Sequence, residues 1–127
     1  MIMPEGNKQA IEVFKRYQPV FNALGDPMRQ QIMFLLANGT RLSVAELAAK
    51  TVLSRPAVSH HLKILSTAKL VQAERVGVRL YYRPMFQTPL AMARDFSKVL
   101  GKIVKKRVTQ DISSTLGGLV KRRGDHA

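Results

Sequence analysis

Between Ser54 and Lys63 the chain sets short hydroxyls beside cations and imidazoles: Ser54, Arg55, Pro56, Ser59, His60, His61 and Lys63. The chemistry this run offers is hydrogen bonding and charge pairing, the chemistry that holds phosphates and base edges. Further along, Arg75 and Arg79 flank Gly77. Residues 41–83 hold eight Lys/Arg (Arg41, Lys50, Arg55, Lys63, Lys69, Arg75, Arg79, Arg83) against two acids, Glu46 and Glu74. A second basic group comprises Lys98, Lys102, Lys105, Lys106 and Arg107, then Lys121, Arg122 and Arg123. The net charge of +13 favours polyanionic partners, nucleic acid first and an anionic membrane surface second.

Other chemistries are poorly supplied. The chain has no cysteine, which excludes disulfides, thiolate metal sites and thiol redox sensing. His60 and His61 are neighbours, so on a helix they point about 100° apart and cannot chelate one ion together. There is no Gly-rich phosphate loop, no nucleophile elbow and no paired-carboxylate signature, and the eight acids are scattered. An enzyme is not expected, nor a metal or cofactor. No run of about 18 apolar residues suggests a membrane span. The N-terminal MIMPEGNKQA lacks the basic and apolar regions of a signal peptide, so a cytoplasmic protein is expected. With 127 residues, 46% of them hydrophobic, the expectation is one domain, 1–127, around one core.

The elements that must position these residues are legible from periodicity and caps. Ala10, Val13, Phe14, Tyr17, Phe21 and Leu24 stripe a first helix over about 7–24, kinked or split by Pro19. Gly25 ends it, and Asp26-Pro27 opens a second helix as N-cap and first residue, running to about Ala37 with Ile32, Leu35 and Leu36 inward. Asn38-Gly39 closes that helix. Ser43-Val-Ala-Glu46 is a capping box for a short helix to about Lys50. Thr51-Val52-Leu53 is a tight connection, and Ser54 caps a helix reaching about Ala68. Leu70–Arg75 and Arg79–Arg83 read as a hairpin turning at Gly77. Thr88-Pro89 opens a long helix to about Leu116, broken by Gly117-Gly118, with 117–127 as a loose basic tail.

The helix after Ser54 is testable on a wheel. Val58, Leu62 and Leu65 cluster within about 60° and face the core. Pro56, Ser59, His60 and Lys63 lie opposite, with Arg55 on the flank. Ala45, Ala48 and Ala49 let the preceding helix cross closely. A polar face carrying short hydroxyls fits a major groove about 12 Å wide. An ordinary solvated amphipathic helix would show the same pattern. The basic hairpin tips the balance, because Arg75 and Arg79 at its tip serve no structural need and could reach phosphates or a minor groove.

ALGDPMRQQIMFLLANG, followed by LSRPAVSHHLKILSTAKLVQAERVGVRLYYRP, resembles the ArsR/SmtB family of bacterial winged-helix repressors. The similarity covers about residues 20–84. It rests on the Leu-Gly-Asp-Pro-x-Arg motif, a Val-Ser-x-His-Leu-x-x-Leu helix and a Gly-centred wing ending in Tyr-Tyr. The resemblance implies an α+β, mostly helical winged helix-turn-helix fold, with the helix-turn-helix at 43–68 and the wing at 69–84. It also implies dimerisation through the helices at about 7–24 and 88–116. By resemblance the protein is a homodimeric repressor of pseudo-palindromic double-stranded DNA operators that usually releases DNA on binding an effector. Ser54, Arg55, Ser59, His60, His61 and Lys63 are then recognition-helix contacts, with Arg75 and Arg79 on the wing. A nonspecific architectural DNA-binding protein, or a winged-helix protein-interaction module with an acidic partner, remains as an alternative.

The sequence departs from the family where metals are sensed. The Glu-Leu-Cys-x-Cys pattern of metal-sensing relatives is replaced by Arg41-Leu42-Ser43-Val44-Ala45. A second family site pairs Asp and His on the last helix, which here has Asp95 and Asp111 but no His. Borderline metals need imidazole or thiolate ligands, so neither site is expected to work, and the effector stays unidentified. His60 is expected at DNA; His61, nearer the apolar side, is either a packing residue or a base contact; His126 in the tail has no assigned role. Tyr81 and Tyr82 alternate faces, with Tyr82 expected to pack inward. Phe96, Val99, Leu100 and Ile103 form an apolar stripe suited to a dimer seam.

Overall fold

Pro19 decides the first helical stretch. Its ring cannot donate to a preceding carbonyl, and it is accommodated only in the first turn of a helix. The computed structural model describes the backbone of residues 5–125 and the side chains of residues 7–119. In it the stretch is split at Tyr17 into α1 (Glu5–Arg16) and α2 (Gln18–Leu24), with Pro19 in the first turn of α2. The order continues α3 (Pro27–Leu36), β1 (Leu42–Ser43), α4 (Val44–Ala49), α5 (Arg55–Thr67), β2 (Val71–Val76), β3 (Arg79–Pro84) and α6 (Gln87–Asp125). The chain divides into two compact units. One is residues 14–93; the other is formed by the described parts of 1–13 and 94–127.

In the unit of residues 14–93 the fully buried large side chains are Ile32, Leu36, Leu47, Val58, Leu62, Leu65 and Leu70. They come from α3, α4, α5 and the approach to β2, so α5 lies at the centre of this core. The sheet has the order β1-β3-β2 and is antiparallel throughout. β1 is an addition to the expected hairpin. It is two residues long, too short for an alternating pattern, and it pairs Leu42 with Tyr82 and Ser43 with Tyr81. β2 lies one residue C-terminal to its expected limits at Leu70 and Arg75, while β3 starts at the expected Arg79 and runs one residue further, to Pro84.

Arg29, in the first turn of α3, binds the corner where α2, α3 and α5 meet. Its Nε donates to the carbonyl of Ala23 at 2.7 Å and its Nη2 to that of Asn22 at 3.0 Å. These are C-terminal carbonyls of α2, and that of Asn22 also accepts from the Gly25 N–H at 3.4 Å. Nη1 lies 3.3 Å from Nδ1 of His61 on α5 and 3.7 Å from Oδ2 of Asp26. A guanidinium only donates, so His61 Nδ1 is the acceptor in this contact. His61 is half-buried here. Its ring is engaged by Arg29, an arrangement of the packing kind, one of the two roles expected for it.

Asp26 caps α3, accepting from the backbone N–H groups of Met28 at 2.7 Å and Arg29 at 3.2 Å. Loss of water around the carboxylate pushes its pKa up. The two backbone donors, the Arg29 charge and, last, any charge on His61 outweigh this and hold it below its ordinary value of 3.8.

α5 ends in a left-handed turn. Lys69 has φ +59, and the N–H groups of Lys69 and Leu70 donate to the carbonyls of Ser66 and Leu65, both at 3.0 Å. This is the Schellman arrangement, in which glycine is the usual left-handed residue. Leu70 is buried beside it.

α6 corrects the expected C-terminal break. It runs for 39 residues through Gly117 and Gly118 to Asp125, so residues 117–125 are helical rather than loose; His126 lies outside the described residues. A glycine costs about 1 kcal/mol in a helix, which weakens a helix without ending it. Within the unit of 1–13 and 94–127, Val13 and Val99 are buried and Lys102 Nζ donates to Gln9 Oε1 at 3.1 Å.

Two stability effects follow. A depressed folded pKa at Asp26 means stability that is present above its unfolded value and is lost as pH falls through the folded one. Urea midpoints of the wild type should therefore fall more steeply than those of Asp26→Asn between about pH 5 and pH 3, the gap closing in acid; parallel curves would refute it. Lys69→Gly should raise stability by about 1 kcal/mol by removing the left-handed strain, seen as a higher Tm, whereas a lower Tm would mean that the turn is not strained.

Candidate nucleic-acid interface

Local chemistry fixes the α4–turn–α5 segment before any partner is considered. Ser43 Oγ accepts from the Glu46 N–H at 3.1 Å, and Glu46 Oε1 accepts from the Ser43 N–H at 3.3 Å, so the expected capping box is present. The Thr51 hydroxyl donates to the Leu47 carbonyl at 3.0 Å and accepts from the Leu53 N–H at 3.2 Å. That bond pair ties the turn to α4. Sequence reading missed Thr51, whose signal is that a Ser/Thr hydroxyl can bridge a helix end to a turn. Ser54 Oγ accepts from the Ala57 N–H at 3.3 Å and so acts as the N-cap of α5.

The rotation of α5 is set by Val58, Leu62 and Leu65, each 0% exposed. Consequently Arg55, Pro56, Ser59, His60 and Lys63 are all exposed, as the wheel required. Ser54 is exposed too, though its hydroxyl is engaged in capping. Val52, in the turn before α5, is 93% exposed and adds an apolar group beside Ser54 that no pattern announced. His60 and Lys63 line an open groove of about 350 Å³ with Pro19 and Asn22 of α2 and Ile64 and Thr67 of α5. Asn22 is thus a polar neighbour of the α5 face that sequence spacing could not bring there.

The wing is sharper than its sequence. Val76 pairs with Arg79 across a two-residue turn, Gly77-Val78, with Gly77 at φ +63 and Val78 95% exposed at the tip. Arg75 pairs with Leu80. Opposed residues share a face and successive residues alternate, so Arg75 and Arg79 lie on opposite faces of the ribbon. The face of Arg75 also carries Tyr82, Leu42 and, at its base, the buried Val71. That places Tyr82 on the inward face, as expected. On the face of Arg79, the Arg41 guanidinium sits 5.3 Å from the centroid of the Tyr81 ring and 3.5 Å from Glu74 Oε1. Tyr81 is therefore half-covered rather than open. Arg83 Nη2 donates to Gln72 Oε1 at 3.2 Å.

The Ser43 hydroxyl is committed to the helix cap. Among the described residues no three His, Asp or Glu side chains gather as a metal set. Among them, too, no helix is long and apolar enough to cross a membrane. What the arrangement offers is a rigid polar-basic helix face flanked by a ribbon with a cation on each side.

Comparison with known proteins agrees with this geometry. Residues 26–73 match the arsR family of bacterial regulatory proteins. A transcriptional repressor SmtB homolog of Synechocystis sp. is 47% identical over 62 residues, 49% of this chain and 46% of that protein. The chain thus spans about half the length of that relative. The transcriptional repressor SdpR of Bacillus subtilis is 38% identical over 63 residues, 50% of this chain and 69% of that protein. An ArsR-like transcriptional regulator from Rhodococcus sp. RHA1 has the same fold, with a TM-score of 0.75 at 24% identity over 83% of this chain and 96% of that one. The homodimeric winged helix-turn-helix DNA-binding domain of a possible ArsR-family transcriptional regulator from Mycobacterium bovis gives a TM-score of 0.57 at 27% identity, over 87% and 95%. With its capped turn, buried α5 seam and three-stranded wing, this chain is a winged helix-turn-helix protein and belongs to the arsR family of bacterial regulatory proteins.

Proposed function

We infer that the protein is a transcriptional repressor, and not an enzyme, that binds operator DNA as a homodimer. One observation carries this reading: the three fully buried residues of α5 force Arg55, Pro56, Ser59, His60 and Lys63 outward together, next to a wing with arginines on both faces. In this reading α5 enters the major groove. Arg55 and His60 address base edges, while Ser54, Ser59 and Lys63 make close polar contacts and Pro56 and Val52 pack against the groove wall. Asn22 accepts or donates beside His60 and Lys63 where the backbone passes α2. His61 acts as a positioning residue through Arg29.

The wing reading is stronger than two cations at a tip. A ribbon that enters a minor groove tip-first with Arg75 on one face and Arg79 on the other addresses both phosphate strands at once. A DNA partner in turn sets the place of action in the cytoplasm.

The homodimer is supported by α6. Leu100, Val104, Val108, Ile112 and Leu116 recur every four residues and are each at least half exposed. A helix with such a stripe, carrying two glycines, needs a partner to cover it. The homodimeric Mycobacterium bovis neighbour supports the same assembly. Two-fold symmetry then implies a pseudo-palindromic operator with half-sites about one DNA turn apart.

DNA-sequence selection with the purified protein tests the reading, with the preferred site then titrated against salt. If each protomer neutralises roughly three to four phosphates, the log–log salt slope of the dimer should be about −5 to −7. A slope near zero, or equal affinity for selected and scrambled sites, would sink it. Arg55→Ala should cost about 1–3 kcal/mol on the preferred site and relax its sequence choice. Arg75→Ala and Arg79→Ala should instead weaken binding on all sequences and flatten the salt slope; discrimination lost through the wing variants alone would reverse the assignment.

A further inference from the structure

A second basic surface is built within the unit of 1–13 and 94–127 and shares no residue with α5 or the wing. At its centre is an open groove of about 420 Å³ between α1 and α6. Lys102, Lys106 and Arg107 of α6 line it with the carboxamides of Asn7, Gln9 and Gln110, and among the described residues no carboxylate does. Cations and amides without an acid are a donor set that proteins turn to phosphate oxygens. Lys102 Nζ donates to Gln9 Oε1 at 3.1 Å. A neutral amide orders the ammonium without cancelling its charge. Arg107 is the least available of the three cations, because its Nε stands 3.9 Å from Asp111 Oδ1.

The groove continues into a cationic side of α6. At about 100° per residue, Lys98, Lys102, Lys105 and Lys106 fall within about 100° of one another. All four are exposed. From position 94 to 113 the other residues in that sector are Asp95, Thr109 and Ser113. Asp95 is half-buried and already engaged, so no exposed acid stands among the lysines. Leu100 and Val104 point away, about 170° round the helix. The dimer seam proposed for them would therefore leave the lysines uncovered. We propose that this side of α6 holds the phosphate backbone of duplex DNA without reading its bases.

The make-up of the sector selects the partner. Single-strand sites stack bases on aromatic side chains, and neither the groove nor the lysine sector contains one. A helix that settles on a membrane buries apolar groups beside its cations, and the sector has none. Lysines are flexible point charges without the planar fork that suits base edges. From Lys98 to Lys106 the helix rises about 12 Å, and one strand of DNA carries a phosphate about every 3.4 Å along its axis. Laid along a duplex, the lysines face about three or four phosphates of one strand. The choice of DNA over duplex RNA rests on the repressor reading, since DNA held by α5 is the polyanion at high local concentration.

The test uses the full chain and a scrambled DNA duplex. Lys98→Gln, Lys102→Gln, Lys105→Gln and Lys106→Gln, combined, should weaken binding about tenfold or more at low salt and make the log–log salt slope shallower by about 0.9 for each lysine in contact. The selected site should lose by the same factor, so that sequence preference is kept. The corresponding fourfold Arg variant should bind as the wild type does, and both should keep the wild-type Tm because the four side chains are exposed. Lys15→Gln with Lys69→Gln, which removes charge from the other unit, should leave the slope unchanged. Unchanged affinity and slope in the fourfold Gln variant would overturn the proposal. So would tighter binding to a single strand or to an RNA duplex of the same sequence, or a loss confined to phosphatidylglycerol vesicles. If no preferred DNA site emerges and the Gln replacements still remove duplex binding, the α6 surface stands and the repressor reading falls. If Arg55→Ala, Arg75→Ala and Arg79→Ala together remove all duplex binding and the Gln replacements remove none, the α6 surface alone falls.

Discussion

One guanidinium decides where α5 sits. Arg29 closes the end of α2 through two carbonyls, stands by the Asp26 cap of α3 and donates to His61 of α5, with its side chain only 11% exposed. A planar fork with fixed donor directions can satisfy three elements in one arrangement only. A lysine could offer charge there but not three directed bonds in a plane. The contact with His61 further requires a ring nitrogen free of its proton. The polar corner and the apolar seam of Val58, Leu62 and Leu65 therefore act on α5 from different sides: one fixes its position along the bundle, the other its rotation.

Much of this was legible because it is local. Ser43 with Glu46, Asp26 with Pro27, and Ser54 before Pro56 each signal a helix start through one or two hydrogen bonds within three residues, and all three are present. The inward set of α5 follows from period alone. Harder to read were the features made by residues far apart in sequence. The role of Arg29 depends on Asn22, Ala23 and His61, and no spacing rule joins positions that far apart. β1 depends on Tyr81 and Tyr82, since two residues carry no period of their own. The groove that brings Asn22 beside His60 exists only once α2 and α5 have packed.

Gly117 and Gly118 misled for a different reason. A glycine pair is a stop signal only when a helix has nothing further to gain by continuing. A Cβ at either position would meet no atom within 4 Å, so the glycines there do not serve close packing within the chain. Their cost is a bias, and a bias is overridden wherever continuing the helix satisfies more backbone groups than ending it would. On the proposed homodimer, the stripe from Leu100 to Leu116 would supply that gain when a partner covers it.

Charge distribution, finally, matters more than the total of +13. In the wing, the acid Glu74 is paired with Arg41, and Arg41 in turn lies over Tyr81. That trio keeps a stiff, nearly neutral patch at mid-ribbon while leaving Arg75 and Arg79 near the tip. A flexible basic loop would attract phosphates equally well at long range, because steering depends on net charge and salt. It would lose side-chain and backbone freedom on contact, however, and so give up part of the affinity. A paired strand with its cations already on opposite faces has little left to order. In the proposed complex, the pleat of the hairpin, more than the number of its arginines, would decide which two phosphate strands the wing can span.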